Sequence, residues 1–366
     1  MQVDIIGGAR PNFVKIAAIV NAMQIKQKAG GDISFRIIHT GQHYDAMLSG
    51  NFFRDLNIPD PDINLQVGSG TQAEQTGNIM IGYEKVLADR KPDMCLVVGD
   101  VTSTMACAIA ARKSGVPVAH VEAGIRSGDW AMPEEINRVV TDSITNWFYT
   151  TTELASNNLL DTGIEAHRVV LVGNTMIDTL LRFKSSFVKP ACWDEFSLQK
   201  GDYIVVTLHR PSNVDGLDGL IQTLTTISET AKGHPIVFPI HPRTASVLQD
   251  KLPSLDNLRM IDPLPYLEFN HLVSHSKGVV TDSGGITEET TVLGIPTITL
   301  RDSTERPETV EIGTNVLAGS SPEALAPLMT QLLAGDWKTG SIPKLWDELT
   351  GQRIVEHLLS THHSDS

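Results

Sequence analysis

Residues 278–309 read GVVTDSGGITEETTVLGIPTITLRDSTERPET, and this stretch decides the fold class. A short apolar run ends in an SGG turn at residues 283–285, a helical pattern follows, and Gly294 is placed to end that helix. Residues 295–300 then predict a second buried strand. A strand, a glycine-rich turn and a helix N-terminus together direct free backbone N–H groups to one point, where an anion can bind. An ordinary strand-to-helix turn has the same pattern, so the interpretation depends on the rest of the chain.

The same alternation of strand and helix recurs along the chain on both sides of this stretch. Apolar runs that end in polar or glycine-rich turns occur at residues 3–6, 35–40, 93–98, 116–121, 169–172, 203–208, 236–240 and 279–280. This spacing is typical of right-handed βαβ crossovers and predicts parallel sheets with helices on both faces.

The alternation is interrupted once, between residues 184 and 200, and then restarts. We therefore predict an α/β protein of two Rossmann-like domains that face each other across a cleft, where a shared ligand would bind. The predicted domains are residues 1–180 and 181–345. An apolar stripe formed by Trp346, Ile354, Leu358 and Leu359 predicts that residues 346–366 form a helix docking on the first domain.

Composition limits the possible functions. The 366 residues are 41% hydrophobic and 20% charged, which fits a folded two-domain protein, and the net charge of −14 argues against nucleic acid as a partner. Cys95, Cys107 and Cys192 lack metal-ligand spacing and suggest a reducing compartment. Asp4 interrupts the first apolar run, and no stretch is long enough for a membrane span. We expect a cytoplasmic protein without a membrane partner.

Three acidic residues follow strands of the first domain or lie just beyond them. Asp100 follows VVG, Glu122 follows AHV, and Glu134 lies in the segment MPEEINR. Carboxylates at the carboxyl ends of parallel strands face the ligand crevice and can act as general acids and bases. Each could instead be a helix cap or a first-turn acid. Together they predict a catalytic site.

Basic residues occupy comparable positions. Arg10 and Lys15 lie beside a glycine turn and could contact a diphosphate, although a lysine placed opposite the apolar stripe of its helix, as we predict for Lys15, is often only solvated. His209 and His241 each end a predicted strand, and a lone histidine is more often structural. Because GxGxxG, GK[ST], GxSxG and a metal-ligand cluster are all missing from the sequence, we predict no cofactor and no metal.

Ten motifs in order carry a resemblance that spans nearly the whole chain. They are GARPNFVK, HTGQHYD, VVGDVTST, HVEAGIRSGD, MPEEINR, VGNTMID, LHRPSNVD, IDPLPYLEF, TDSGGITEE and RDSTERPE. The ordered set resembles the non-hydrolysing UDP-N-acetylglucosamine 2-epimerase family. The resemblance implies the glycosyltransferase-B arrangement of two Rossmann-like domains, a UDP-sugar substrate, no cofactor and a homodimer.

The resemblance also implies roles for individual residues. UDP would be bound by Ser283, Gly284 and Gly285 at the diphosphate, by Glu289 at the ribose, by Phe269 near the uracil, and by Arg306, Arg10 and Lys15. The implied catalytic residues are Asp100, Glu122, Glu134 and His209. A possible regulatory site would include Gln42, His43 and His241.

The implied reaction inverts C2 of the sugar. The C2 hydrogen is barely acidic, but loss of UDP from C1 makes positive charge there, so that a carboxylate can remove the C2 proton and leave a glycal. Re-addition of UDP then gives reversible conversion of UDP-N-acetylglucosamine to UDP-N-acetylmannosamine.

This sequence departs from the family at Ser212, where Glu is common, at Leu264, where Gln is common, and in residues 70–75, which lack a regulatory Arg. A hydrolysing 2-epimerase, an epimerase of a related deoxy sugar, a glycosyltransferase and a non-catalytic nucleotide-sugar sensor remain alternatives.

Overall fold

The structure is a computed structural model that describes residues 1–41, 53–208, 217–240, 245, 248, 251–319 and 321–364. The chain forms two compact units. The first domain comprises Met1–Arg182 together with Lys344–Ser366, and the second domain comprises Phe183–Pro343.

The strands of the first domain form one parallel sheet. They are β1 (Gln2–Gly7), β2 (Ser34–His39), β3 (Ile63–Asn64), β4 (Met94–Val98), β5 (Val118–Val121), β6 (Trp147–Thr150) and β7 (Val169–Leu171). In the described part of the chain the order is β3-β2-β1-β4-β5-β6-β7. The order reverses between β1 and β4, and such a switch point opens a ligand crevice at the carboxyl ends of the strands.

Helices connect these strands. They are α1 (Arg10–Lys28), α2 (Gln72–Asp89), α3 (Thr102–Lys113), α4 (Pro133–Ile144), α5 (Glu153–Leu160) and α6 (Thr175–Phe183). Apolar residues of β1, β2 and β4 pack against α2 and α3, where Ile79, Tyr83 and Ala106 are fully buried. The three cysteines are buried and unbridged.

Helix α1 is buried on almost every side, which corrects the sequence prediction for Lys15. The helical pattern predicts a solvated side for Lys15, whereas all residues from 12 to 21 are buried. One side of α1 covers the sheet, and Thr179 of α6 donates its hydroxyl to the Val14 carbonyl at 2.7 Å. A Cβ on Gly351 would come within 2.5 Å of the Ala18 carbonyl oxygen, so the C-terminal helix closely approaches α1. Non-local neighbours therefore cover the side that the helical pattern leaves polar.

The second domain has its own parallel sheet. Its strands are β8 (Ile204–Thr207), β9 (Ile236–Pro239), β10 (Leu258–Ile261), β11 (Gly278–Thr281), β12 (Thr297–Thr299) and β13 (Asn315–Leu317). Among the described residues their order is β10-β9-β8-β11-β12-β13. The helices are α7 (Ala191–Glu195), α8 (Leu217–Thr230), α9 (Tyr266–Ser274), α10 (Gly284–Leu293), α11 (Pro307–Glu311) and α12 (Pro322–Ala334).

Both faces of this second sheet are covered, as the apolar strands predict. Ile204 and Val206 belong to the cluster that packs against α8 and α12, whereas Val205 belongs to the cluster that packs against α7 and α9. Adjacent residues of a strand point to opposite faces, so helices lie on both sides. The prediction of two parallel-sheet α/β domains is confirmed.

After the second domain the chain returns to the first and ends in helix α13 (Thr350–Ser364). Trp346, Ile354 and Leu358 are buried, and the Trp346 indole donates to the Thr151 carbonyl at 3.2 Å. At the start of α13 the Gly351 amide donates to Asp178 Oδ2 of α6 at 2.8 Å. Residues 344–366, which we call the return segment, are thus part of the core of the first domain. None of the helices in the described ranges is long and apolar enough to cross a membrane.

Candidate functional site

A buried ion pair joins α1 to the end of β5. Lys15 donates its ammonium group to Glu122 Oε2, and both side chains are largely withdrawn from solvent. Glu122 directly follows β5 in a left-handed backbone conformation, with φ +67°. Gly99 directly follows β4, and a Cβ there would lie 3.2 Å from Glu122 Oε2 and 3.4 Å from Lys15 Nζ. The glycine therefore leaves room for the ion pair at the switch point.

Asn12 fixes the start of α1 against the same strand ends. Its Nδ2 donates to the Val98 carbonyl at 3.0 Å, and its Oδ1 accepts from the Ala9 amide at 3.1 Å. This side chain is buried. It ties the glycine turn after β1 to the end of β4, so the position of Lys15 relative to Glu122 is defined by side-chain bonds.

Asp100 is held by α4. Its Oδ2 accepts from Arg138 Nε at 3.1 Å and Nη2 at 2.6 Å, and its backbone carbonyl accepts from Asn137 Nδ2 at 2.8 Å. The Asp100 side chain is 29% exposed, whereas that of Arg138 is 7% exposed. A fixed, partly accessible carboxylate is placed where it can accept a proton from a bound molecule.

Arg138 also contacts Glu135, which organises the loop before α4. Glu135 Oε2 accepts from Arg138 Nη1 at 2.9 Å and from the Ser127 amide at 2.9 Å, and Oε1 accepts from the Gly128 amide at 3.0 Å. Burial alone would raise the pKa of Glu135, but these donors hold it below its usual value. Glu134 lies beside Glu135 in the first turn of α4 and is half-buried.

His120 lies on β5, behind the turn that carries Asp100. Its Nδ1 is 2.7 Å from Asp142 Oδ1, and its Nε2 is 2.9 Å from the Gly99 carbonyl oxygen. Asp142 Oδ2 is 2.7 Å from Arg126 Nη1 and accepts from the Gly124 amide at 3.1 Å. These polar groups support the strand ends from inside the domain.

The structure therefore brings three predicted residues, Lys15, Glu122 and Asp100, to the ends of adjacent strands in the first domain. Their supporting partners were missed by sequence reasoning and are Asn12, His120, Glu135, Arg138 and Asp142. Glu135 and Arg138 could have been found, since residues three apart on a helix are neighbours. The pairing of His120 with Asp142 joins residues 22 apart in sequence and has no local signal.

In the second domain, the SGG turn begins helix α10 as predicted. Ser283 is the N-cap residue, its side chain does not cap the helix, and its amide donates to Thr281 Oγ1 at 3.0 Å. A Cβ on Gly284 would meet Arg301 Nη1 at 3.8 Å and nothing closer. The helix N-terminus at Gly284 thus has open space, and the nearby guanidinium of Arg301 is paired with Glu305. A helix N-terminus with open space in front of it is suited to an anion.

Two acidic residues of α10 are engaged with other side chains. Glu289 Oε1 accepts from the Tyr266 hydroxyl at 2.9 Å, and burial raises the pKa of Glu289 to about 7. Glu288 Oε1 accepts from Arg306 Nε at 2.6 Å. Through this contact the predicted UDP-binding Arg306 is attached to the helix that starts at the SGG turn.

Of the remaining predicted site residues, the structure describes the side chain of Phe269 but not those of the others. Phe269 on α9 is half-buried against the cluster that contains Tyr203 and Val279. Gln42, His43, His209 and His241, and the side chain of Arg10, lie outside the described residues. Among the residues that are described, no group of three or more His, Cys, Asp or Glu is arranged to hold a metal ion.

Comparison with known proteins decides the family. A family model described as UDP-N-acetylglucosamine 2-epimerase matches residues 25–359, which is most of the chain. The chain belongs to the UDP-N-acetylglucosamine 2-epimerase family. It is therefore an enzyme of the isomerase class.

Relatives of this 2-epimerase family member match along nearly its whole length. A UDP-N-acetylglucosamine 2-epimerase of Methanocaldococcus jannaschii is 42% identical, over 98% of this chain and 99% of the relative. A crystal structure of the M. jannaschii enzyme in complex with UDP-GlcNAc and UDP, also 42% identical, has a TM-score of 0.85 and covers 98% of this chain and 99% of that one. A UDP-2,3-diacetamido-2,3-dideoxy-D-glucuronate 2-epimerase of Pseudomonas aeruginosa is 40% identical over 89% of this chain and 90% of the relative.

Proposed function

We propose that this 2-epimerase converts UDP-N-acetylglucosamine reversibly to UDP-N-acetylmannosamine by elimination and re-addition of UDP. The observation that carries the proposal is the 42% identity, over nearly the full length of both chains, to an enzyme whose crystal structure contains UDP-GlcNAc and UDP. The site geometry is consistent with it, because carboxylates and cations lie at the strand ends of the first domain and the second domain has a helix N-terminus suited to an anion.

The elimination step needs a departing group and a base. The bond between C1 and the diphosphate oxygen breaks, its electron pair leaves with UDP, and the positive charge at C1 acidifies the C2 hydrogen. A carboxylate then takes the C2 proton, a double bond forms between C1 and C2, and a glycal results. Re-addition delivers a proton to the other face of C2 while the diphosphate oxygen rejoins C1.

We assign the proton-accepting role first to Asp100. Arg138 contributes two hydrogen bonds to one carboxylate oxygen of Asp100, and these hold the carboxylate in a fixed position, as a base requires. Glu122 and Glu134 are assigned to the same reaction as acid–base partners, and Lys15 holds Glu122 in place. Proton transfer by a positioned side chain typically contributes about 10²–10⁴-fold to a rate.

We assign the leaving group to the second domain. Ser283, Gly284 and Gly285 would bind the diphosphate through backbone amides and the helix dipole, with Arg306 in support. Glu289 would bind the ribose hydroxyls, and Phe269 would lie near the uracil. Arg10, Lys15 and His209 complete the proposed UDP-binding and catalytic set. Stabilising the negative charge of the departing UDP lowers the barrier to breaking the C1–O bond.

A second candidate substrate is a UDP-sugar with further modification of an N-acetyl-hexosamine. The P. aeruginosa relative, which is 40% identical, carries the name of a 2-epimerase for such a sugar. Ser212 and Leu264 also depart from residues common in the family. Incubation with both UDP-sugars in parallel, at equal concentrations, identifies the preferred one by the ratio of kcat/KM.

The test of the proposed reaction is exchange at C2. The protein is incubated with UDP-N-acetylglucosamine in D₂O, and C2 of the sugar is followed by NMR. Deuterium in intact UDP-sugars of both configurations is the expected result. Free N-acetylmannosamine with UDP as the main products would identify a hydrolysing 2-epimerase instead, and a C2 hydrogen that never exchanges would exclude both.

A matched pair of variants tests the role of Asp100. We expect Asp100→Asn to reduce C2 exchange by at least about 10²-fold while UDP binding is kept, because the amide cannot accept the proton. Asp89→Asn, which makes the same change at an exposed position of the first domain, should exchange at the wild-type rate. Wild-type exchange in Asp100→Asn would remove Asp100 from the list of essential bases.

A further inference from the structure

The imidazole of His120 lies between a backbone carbonyl oxygen and the carboxyl group of Asp142. His120 is fully buried on β5. Its Nε2 is 2.9 Å from the Gly99 carbonyl oxygen, which has no proton to give. Its Nδ1 is 2.7 Å from Asp142 Oδ1, which has none when the carboxyl group is ionised. A neutral imidazole has only one N–H, so it could satisfy only one of these acceptors.

Asp142 is surrounded as an ionised carboxylate would be. Its second oxygen, Oδ2, is 2.7 Å from Arg126 Nη1 and accepts from the Gly124 amide at 3.1 Å. Burial alone would raise the pKa of Asp142, but His120 and Arg126 outweigh burial and hold it below its usual value. The proton shared between Asp142 and His120 therefore belongs to the histidine.

We infer that His120 is a buried imidazolium whose two N–H groups bind Asp142 and the Gly99 carbonyl, and that it is a positioning residue for Asp100. The bound carbonyl belongs to the peptide group that joins Gly99 to Asp100. Fixing its direction fixes the backbone at the start of Asp100. The catalytic part of this inference rests on the proposed role of Asp100.

The turn needs such an anchor because it contains a glycine. Gly99 has φ +69°, a conformation that glycine adopts without strain but does not enforce. The Gly99 amide donates to the Val121 carbonyl at 2.9 Å, and Asn137 binds the Asp100 carbonyl at 2.8 Å. His120 restrains the peptide group between these two contacts. The backbone on both sides of the Asp100 side chain is thereby held by hydrogen bonds.

The protonation state can be measured on the unmodified protein. In protein labelled with ¹⁵N-histidine, we expect directly bonded protons on both ring nitrogens of His120 at neutral pH. Through-space contacts to Gly99 and Val121 assign the signals without a variant. A ring with a single N–H would overturn the inference, whatever the enzymatic activity.

The positioning role is tested with two histidine variants. His120→Gln keeps an N–H that can reach the Gly99 carbonyl but lacks the charge and the second donor. We expect C2 exchange to fall by on the order of tenfold to a hundredfold. The dissociation constant for UDP should stay unchanged, because neither His120 nor Asp100 is among the residues that we assign to UDP binding. His234→Gln removes a partly exposed histidine that contacts Asp202 at 2.8 Å in the second domain, and should leave exchange unchanged.

These results separate the inference from the proposed function. Wild-type exchange in a folded His120→Gln protein would overturn the positioning role. If the His120→Gln protein does not fold, the two N–H signals of the unmodified protein still decide the protonation state. Failure of the wild-type enzyme to exchange C2 at all would refute the proposed epimerisation, and the imidazolium would then stand or fall by the NMR result alone.

Discussion

Asp178 is a buried carboxylate that connects two helices of the first domain. It projects from α6 and accepts the Gly351 amide of α13 through Oδ2 at 2.8 Å. Burial raises its pKa from 3.8 to about 7, more than hydrogen bonds from Thr350 and Gly351 lower it. Asp178 therefore carries its proton in the folded protein at pH values where the unfolded chain has already lost it.

This difference gives a pH dependence of stability with a defined sign. The folded state binds more protons than the unfolded state between pH 3.8 and about 7. The contribution of Asp178 to the free energy of unfolding is therefore fully present below that window and is lost as the pH rises through it. We expect Asp178→Asn, which cannot titrate, to flatten the dependence by on the order of 1–4 kcal/mol between pH 4 and pH 8.

Urea unfolding of the wild type and Asp178→Asn at a series of pH values measures this effect. Asp161→Asn, an exposed change in the same domain, serves as the control and should follow the wild-type curve. An unchanged slope in Asp178→Asn would show that the group titrates alike in the folded and unfolded states.

For single residues, the sequence predicts where chemical groups lie along the strands and helices. It does not predict which other groups they bind. Asp100 and Glu122 could be placed at strand ends because strand and turn patterns are local. The burial of Lys15 could not be predicted, because it depends on Glu122, 107 residues later in the chain. His120 was missed because its partners, Gly99 and Asp142, come from other elements. The contact of Arg138 with Asp100 was missed for the same reason, whereas its contact with Glu135 lies within one helix.

At the scale of elements, the return segment and β7 meet at a glycine. Gly173, just after β7, has φ +101°, and a Cβ there would lie 2.1 Å from the Leu345 carbonyl oxygen. Arg353 of α13 donates to the neighbouring Val172 carbonyl at 2.9 Å and pairs with Asp347 at 2.5 Å. The backbone of the return segment thus lies directly against the end of the sheet.

We expect Gly173→Ala to destabilise the first domain by more than about 2 kcal/mol, because it adds a steric clash to the strain of a left-handed backbone. Gly163→Ala is the matched control, since Gly163 has φ +88° but no atom lies within 4 Å of the place its methyl group would take. The difference between the two in thermal unfolding isolates the contact with Leu345. Equal losses would mean that the return segment moves aside at little cost.

The sequence predicts the positions of helices and strands better than it predicts the surfaces against which they pack. The SGG turn and Gly294 predicted the two ends of α10, and Gly294 adopts φ +72° at its C-cap. An apolar stripe likewise predicted a helix near the C-terminus, where α13 lies. The surface against which α13 packs comes from α1, α6 and β7, and no pattern within α13 specifies it.

At the scale of the whole molecule, the first domain consists of two separate pieces of chain. Residues 344–366 contribute Trp346, Ile354, Val355 and Leu358 to its interior. Fully burying a large apolar side chain stabilises a protein by about 1.5–3 kcal/mol. The four side chains together therefore contribute an amount comparable to the whole stability of a typical domain, about 5–15 kcal/mol.

We accordingly expect a chain ending at Pro343 to lose the folded first domain. Hydrogen exchange should show α1 and α6 unprotected, while β8 and β11 of the second domain stay protected. A chain lacking only residues 362–366 keeps these four side chains and should resemble the wild type. Protection of α1 in the shorter chain would contradict the structural role given to the return segment.

The discontinuity also sets an order of events during synthesis on the ribosome. The second domain is a continuous stretch and is complete once Pro343 has left the exit tunnel, whereas the first domain needs residues 344–366, which are made after the second domain. At about 5–20 residues per second, the N-terminal half waits on the order of ten seconds or more for the segment that completes its core. In a nascent chain of this enzyme, the side of α1 that residues 344–366 later cover is therefore exposed for that time. Chaperones that bind apolar helices can reach it during this interval.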